Sequence, residues 1–439
     1  MATISMTGMS HQDEMKQTVN DNCGVKSAKM IPLSSTNLEK CGERLRQGGL
    51  VAFPTETVYG LGCNALDESA IIKVFEAKER PLTDPLITHV TDNQVAFQLW
   101  AADTTTTTTA TTDSSSYLEG RAIHALCDKF WPGPLTLVAK AAPNVPPILM
   151  ANTGFVACRS PQHPISIVLI NAAKVPIAAP SANKFGHISP TRSHHVWDDL
   201  KNEDVWIVKE EEEEEEEEEE STTKSSTDDV TSCCQVGVES SVAKIEMITA
   251  DNKKGRITLL RQGAVSLQDI QECLTEAGLV DHFEVLALTK KTTDETVANV
   301  APGQTIRHYS PDIPSFILSK SLTCRSSTTS DDGREFLRKS VLIDFGGKLK
   351  AWEHLSLAYR DLSETADSAE ATRGVFETLR WAEQISDANQ ILFPEIADDD
   401  EVEGGQACSP DALTLALKDR LTRAASGVVI DSLHTGIYK

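Results

Sequence analysis

The sequence predicts a two-domain α/β protein, and three observations carry the prediction. Short apolar runs alternate with longer stretches of helical periodicity, the pattern of an α/β or α+β chain. A segment punctuated by Pro and Gly, APGQTIRHYSPDIP at 301–314, divides this alternation into two blocks. The length of 439 residues holds two or three domains at roughly 150 residues each, fewer once low-complexity stretches are subtracted.

In the first block LVAFP (50–54), PLITHV (85–90), LTLVAK (135–140), GFVACR (154–159), VPIAAP (175–180) and RITLLR (256–261) are expected strands. Ser69 to Arg80 and Pro164 to Ala173 are expected helices. In the second block SFILS, VLIDF and QILFPEI are expected strands and Ala369 to Ile385 has helical periodicity. Pro410 to Ala425 is a helix with Pro at its first turn. That alternation suits one small three-layer domain.

Three low-complexity blocks interrupt the pattern: Thr104 to Ser116, Glu210 to Ser232 and Ser326 to Asp332. They offer too little apolar surface to offset their ordering entropy, so they are expected to be solvated insertions without chemistry. The net charge of −24 is dominated by one of them. Glu210 to Glu220 is an unbroken acidic run, and without its eleven charges the chain carries −13. That balance argues against a general nucleic-acid coat, which needs Lys and Arg to neutralise phosphates. The ten cysteines include no CxxC pair, which excludes a zinc ribbon, gives no disulfide framework and suits a reducing compartment. The first 30 residues lack Arg and an apolar core, so no secretory or transit signal is expected, and no apolar run is long enough to span a membrane. A cytoplasmic location is the expectation.

Candidate chemistry begins in the helix Ser69 to Arg80. Ile71, Val74 and Phe75 define its apolar face, and the next turn puts Lys78 on that same face. Pro81 stops the helix, leaving Arg80 able to turn toward whatever Lys78 meets. Two converging cations suit a polyphosphate, although a snorkelling Lys and a solvent-facing Arg are the more ordinary outcome for this segment alone. In VPIAAPSANKFGHISPT (175–191), Ser181 and Asn183 follow a strand and can present hydroxyl, amide and backbone N–H groups to an anion, or serve as an ordinary cap. His89 falls on the Ile87 face of its strand, where a hydrogen-bonded core histidine is common. Arg159 ends its strand, as a surface ion pair or a carboxylate ligand. His194 and His195 begin a polar helix, lack a third ligand and are expected at the surface. There is no GxxxxGK[ST], no GxGxxG after a strand and no GxSxG, so Walker NTPase, Rossmann dehydrogenase and α/β-hydrolase functions lose their support.

Taken in order, GGLVAFPTETVYGLGCNA (48–65), AKERPLTDPLITHV (77–90), FWPGPLTLV (130–138), APSAN (179–183), SPT (189–191), VGVESS (236–241), TLLRQG (258–263) and APGQTIRHYSP (301–311) resemble the Sua5/YrdC family in its two-domain Sua5 form. The resemblance implies a twisted YrdC-like α/β catalytic domain over 31–286, with insertions at 104–116 and 210–232. It also implies a linker at 287–312 that covers the site, a smaller Rossmann-like C-terminal domain over 313–430, and a disordered extension at 1–30.

The activity implied is L-threonylcarbamoyladenylate synthesis from L-threonine, bicarbonate and ATP, with release of pyrophosphate, for threonylcarbamoyladenosine in tRNA. Lys78, Arg80, Asp84, Ser181, Asn183, Ser189, Arg261 and Arg307 would hold ATP, with Lys78 and Arg80 acting in catalysis. Thr55, His89, Arg159 and Ser240 would hold threonine. Mg²⁺ would arrive on the ATP phosphates with no protein ligand of its own. A tRNA-modifying transferase complex would accept the product, and double-stranded RNA or tRNA is a further ligand to consider.

The chain departs from the family at Phe155, where a small polar residue is frequent, at Ile306, where the linker often has Tyr, and at Gln262-Gly263-Ala264, where Pro-Gly is usual. A non-catalytic RNA-binding module is the rival. A hydrogenase-maturation carbamoyltransferase is disfavoured by the missing CxxC.

Overall fold

The computed structural model describes residues 26–101, 115–210, 234–248, 254–288, 298–301, 308–323, 330–396 and 411–434. Most of the expected insertions, the stretch 1–25 and Arg307 fall outside these residues. Eleven strands build a mixed sheet: β1 (Lys29–Ile31), β2 (Leu50–Phe53), β3 (Gly60–Asn64), β4 (Ile87–His89), β5 (Leu135–Lys140), β6 (Phe155–Arg159), β7 (Ile177–Ala178), β8 (Val205–Val208), β9 (Ser241–Met247), β10 (Gly255–Arg261) and β11 (Phe283–Ala287). Their spatial order is β1-β8-β2-β3-β7-β4-β6-β5-β9-β10-β11. A second sheet contains β12 (Ser315–Leu318), β13 (Ser340–Asp344), β14 (Ala358–Asp361), β15 (Gln390–Pro394) and β16 (Val429–Ile430). It is parallel throughout, ordered β14-β13-β15-β12-β16. The expected pairing of a mixed α/β domain with a smaller Rossmann-like one is what the chain forms.

Local chemistry explains the expected elements and their limits. The helix Glu68–Lys78 starts at Asp67, whose carboxylate accepts from the backbone N–H of Ser69 and Ala70. It ends two residues before the expected Arg80, because Glu79 takes a left-handed conformation with φ 56 and caps the helix with its own N–H. The Pro164–Ala173 helix has the expected bounds. By contrast, the strand expected over 175–180 shrinks to two residues, because Pro176 and Pro180 lack a donor for the ladder.

Three further expectations are corrected. Ordered structure begins before residue 31, since Lys29 and Met30 already pair with Trp206 and Ile207 in β8. His195 is buried, with Nδ1 near the Thr191 N–H at 3.3 Å, and burial followed by nearby Arg380 holds its pKa down at about 2. Glu210 is no passive part of its acidic run. Its carboxylate accepts from the Ser193 N–H at 3.1 Å and from the Tyr59 hydroxyl, capping the helix Ser193–Leu200, whose own N-cap residue Arg192 makes no side-chain cap bond. We expect Glu210→Ala to lower unfolding stability by about 1–2 kcal/mol in a denaturant titration, the usual cost of a lost cap with a buried partner.

The two domains share a core. Val58, Ile188 and Val238 of the first join Tyr309 and the Val375, Phe376 and Leu379 face of the second domain's helix Ser368–Glu383. Gly237, at φ 74, makes this contact possible, because a Cβ there would lie 2.3 Å from the Thr372 carbonyl oxygen. Around it stands an ionic network. Arg380 pairs with Asp199 at 3.1 Å, while His187 sits between Asp199 (2.9 Å) and Glu383 (3.2 Å).

Burial opposes a charge on His187, but its hydrogen bonds to Asp199 and Glu383 win and raise its pKa to about 9. A group raised in the folded state stabilises fully below its unfolded value near 6.5 and loses that contribution as pH climbs through 9. Thermal stability is therefore expected to fall between pH 6.5 and 9, by up to a few kcal/mol. His187→Gln should flatten that slope, as read by melting temperature against pH.

Candidate active site

The ends of several strands place their functional side chains around one cleft. His89 and Arg159 are direct register partners at the C-terminal ends of the neighbouring parallel strands β4 and β6, so they stand side by side. Thr55 follows β2, Ser181 follows β7, Arg261 closes β10 and Ser240 precedes β9. The cleft they line also includes Thr57, Arg80, Glu239 and His308.

One half of this cleft is cationic. Arg80 donates to the carbonyls of Asp84 (3.0 Å) and Pro85 (2.8 Å) and pairs with the Asp84 carboxylate at 2.9 Å. These bonds hold its guanidinium along the wall. Lys78, buried on the expected helix face with Ile71, Val74 and Phe75, donates to the carbonyl of Ser181 at 2.6 Å and to that of Asn183. The inward aim read from the helix is present, but Lys78 is not an unpaired cation at the cleft surface. Two carbonyls occupy it, leaving one of its three donors for a ligand. Burial first, then the neighbouring Arg80, holds its pKa well below the ordinary lysine value.

Asn183 uses its amide N–H groups on the carbonyls of Lys184 and His187, at 2.7 and 2.9 Å, and its Oδ1 has no partner among the described residues. Arg261 donates to the Ser240 carbonyl at 2.9 Å and hydroxyl at 3.0 Å. Desolvation brings its pKa down to about 10. His308 marks where these charges meet. Its pKa is held well below the usual value by burial and then by Arg423, Arg80, Lys78 and Arg261 in turn.

The other half is hydroxyl-rich. Thr55 shares a hydrogen bond with Thr57 at 2.8 Å, and Thr57 Oγ1 accepts from Arg159 Nη1 at 2.9 Å. Arg159 also pairs with Glu56 at 2.6 Å, both side chains being buried. That settles the surface-pair alternative, since Arg159 is inside. His89 is buried too, and burial, then Arg159, pushes its pKa down to about 3, so it is neutral at ordinary pH. The ring meets the backbone of Ile177 and Ile87, as expected of a hydrogen-bonded core histidine, while Nδ1 has no hydrogen-bond partner among the described residues.

The Sua5/YciO/YrdC family profile, described as telomere recombination, matches residues 43–233, and that of the threonylcarbamoyl-AMP synthase C-terminal domain matches 265–426. A threonylcarbamoyl-AMP synthase of Bacillus subtilis is 32% identical over 88% of this chain and 92% of its own length. The chain belongs to the Sua5/YrdC family.

It has the two-domain Sua5 form. The threonylcarbamoyl-AMP synthase of Pyrococcus abyssi is 36% identical, over 61% of this chain and 63% of that protein. The crystal structure of P. abyssi Sua5 complexed with L-threonine superposes with a TM-score of 0.68 at 26% identity, covering 92% of this chain and 99% of that one.

Within this Sua5-type cleft, Thr55, Arg80, His89, Arg159, Ser181, Ser240 and Arg261 line the wall, while Lys78, Asp84, Asn183 and Ser189 stand behind it. Asp84 faces Arg80 and is a support for it, not a lining residue. Phe155 does not line the cleft, and Lys244 lies 3.9 Å over its ring. Sequence reasoning assigned no role to Glu56, Thr57 or Glu239. Glu56 and Glu239 lay inside the family blocks TET and GVESS, next to assigned residues, and that adjacency was the available signal.

Proposed function

We propose that this chain joins L-threonine, bicarbonate and ATP into threonylcarbamoyl-AMP, releasing pyrophosphate, as its Sua5/YrdC membership indicates. The observation that carries the assignment of the cleft is that Arg80, Arg261 and His308 line one part of it, with Lys78 held on the Ser181 carbonyl behind them, beside a hydroxyl-lined recess containing Arg159 and His89. The triphosphate belongs in the first half and threonine in the second. The P. abyssi relative was crystallised with L-threonine, which supports threonine as a substrate.

The threonine amine captures bicarbonate or its carbon dioxide equivalent, and a carbamate oxygen attacks the α-phosphorus. The pyrophosphate then departs. No side-chain nucleophile is required, and the chain's part is positioning and electrostatics. Arg80 and Arg261 stabilise charge accumulating on the phosphoryl oxygens, held in place by Asp84 and Ser240 before substrate arrives. Arg159 presents a fork to the amino-acid carboxylate, and neutral His89 offers Nδ1 to the substrate.

Mg²⁺ fits such a site only through the phosphates and water. The carboxylates nearest the cleft are committed to cations, Glu56 to Arg159, Asp84 to Arg80 and Glu239 to Arg420. When bound it would neutralise phosphate charge. The product is a labile mixed anhydride that a tRNA-modifying transferase would consume, and the cytosol is the proposed location. No helix among the described residues is long and apolar enough to cross a membrane. The deep burial of these cations disfavours an RNA-binding module, which would present them to a backbone. Pyrophosphate release that needs threonine and bicarbonate together is the expected assay result, and release independent of either would remove the proposal.

A further inference from the structure

The helix Ala412–Ala424 of the second domain sends Arg420 completely out of solvent, into the first domain. Its Nε and Nη2 both lie 3.1 Å from Glu239 Oε2, and Nη2 also donates to the Glu239 carbonyl at 3.3 Å. Nη1 donates to the Gln262 carbonyl at 2.6 Å. These two backbone positions are the immediate chain neighbours of Ser240 and Arg261, so one guanidinium grips both segments just beside the residues that line the cleft. The segments can lie this close because residue 263 is Gly. A Cβ there would be 2.4 Å from the Ser241 nitrogen and 2.7 Å from the Glu239 carbonyl oxygen. The second carboxylate oxygen of Glu239, Oε1, accepts the Ser189 hydroxyl. Glu239 therefore stands between Arg420 on one side and Ser189 on the other, with Arg261 close enough to lower its pKa after Arg420 has done so against the cost of burial.

A buried ion pair contributes little net stability, because desolvation offsets its Coulomb attraction, and its better-attested effect is to fix one geometry. Here the geometry fixed is that of the nucleotide half of the cleft. We infer that Arg420 of the C-terminal domain is a positioning residue for nucleotide binding, acting through Glu239 and the Gln262 carbonyl to hold Ser189, Ser240 and Arg261. Arg420 touches no substrate. The inference rests on the ATP assignment of this cleft, and it gives the second domain a direct part in the first domain's chemistry.

The test is Arg420→Lys in the full chain, which keeps the charge but cannot bridge Glu239 and Gln262 at once. The KM for ATP should rise about tenfold or more, with the threonine KM changing about threefold or less and the melting temperature nearly unchanged. A purely architectural Arg420 would instead lower the melting temperature and leave the ATP KM alone, or shift both KM values together, and either result overturns the inference.

Should Arg420→Lys fold poorly, Glu239→Gln provides the second reading. It retains an acceptor for Ser189 and Arg420 but removes the charge-assisted grip, and should weaken ATP in the same selective way. Direct titration with ATP, without threonine, separates the two levels of proposal. If the unaltered chain binds ATP but makes no adenylate, the proposed activity fails while weaker ATP binding by Arg420→Lys still supports the positioning role. If the unaltered chain binds no ATP, both fail.

Discussion

Lys78→Met is expected to reduce threonylcarbamoyl-AMP formation by about a hundredfold or more, the scale of losing a preorganised cation beside a developing phosphoryl charge. The variant should still fold. Its stability reflects two opposing terms, because Met leaves the carbonyls of Ser181 and Asn183 without the ammonium that satisfies them. It also removes a buried charge whose desolvation depresses the lysine pKa. The net change in unfolding free energy should stay within about 2 kcal/mol, and a cooperative melt would establish it. Near-normal turnover would show that the remaining donor of Lys78 never meets the phosphates and that the residue only staples the Ser181–Asn183 loop to the helix that carries Lys78.

Arg159→Lys is the second large effect. Its guanidinium already divides itself between Thr57, the Gly133 carbonyl and Glu56. A threonine carboxylate must share or take over the Glu56 side of the fork, and a lysine cannot offer two parallel donors for that exchange. The threonine KM should rise by about thirtyfold or more, with the ATP KM within about threefold of normal. Glu56→Gln provides the matching control. It relieves competition for the fork, so it should not raise the threonine KM as strongly. Equal increases for both substrates in Arg159→Lys would mean that Arg159 supports the cleft as a whole and does not recognise the amino acid.

Much of the first domain was legible because its signals are local. A helix period brought Lys78 to the face of Ile71 and Val74, and strand periods located β4 and β6, which pair His89 with Arg159. Other elements carried weaker marks. β3 reads Gly-Leu-Gly-Cys-Asn, whose glycines hide any alternation, and β7 is pinned between two prolines. The charges behind the cleft were the hardest to place. Arg380, Arg420 and His195 look like solvated positions on polar helices, and their burial is decided by what packs against them far along the chain. Sequence periodicity reports which side of a helix is apolar. It does not report that a charged side will meet an opposite charge on another domain.

The ionic seam between the domains also bears on how such proteins can be recombined. Arg380 finds Asp199, Arg420 finds Glu239, and Glu383 finds His187, each across the boundary. An apolar joint would tolerate many apolar counterparts, but a buried guanidinium tolerates only a surface with its carboxylate in place. The C-terminal unit is thus not a portable module. Spliced onto a catalytic domain lacking Asp199 and Glu239 equivalents, it would strand Arg380 and leave Arg420 with only Asp419 of its own helix, and a working chimera would have to transfer both sides of the seam together.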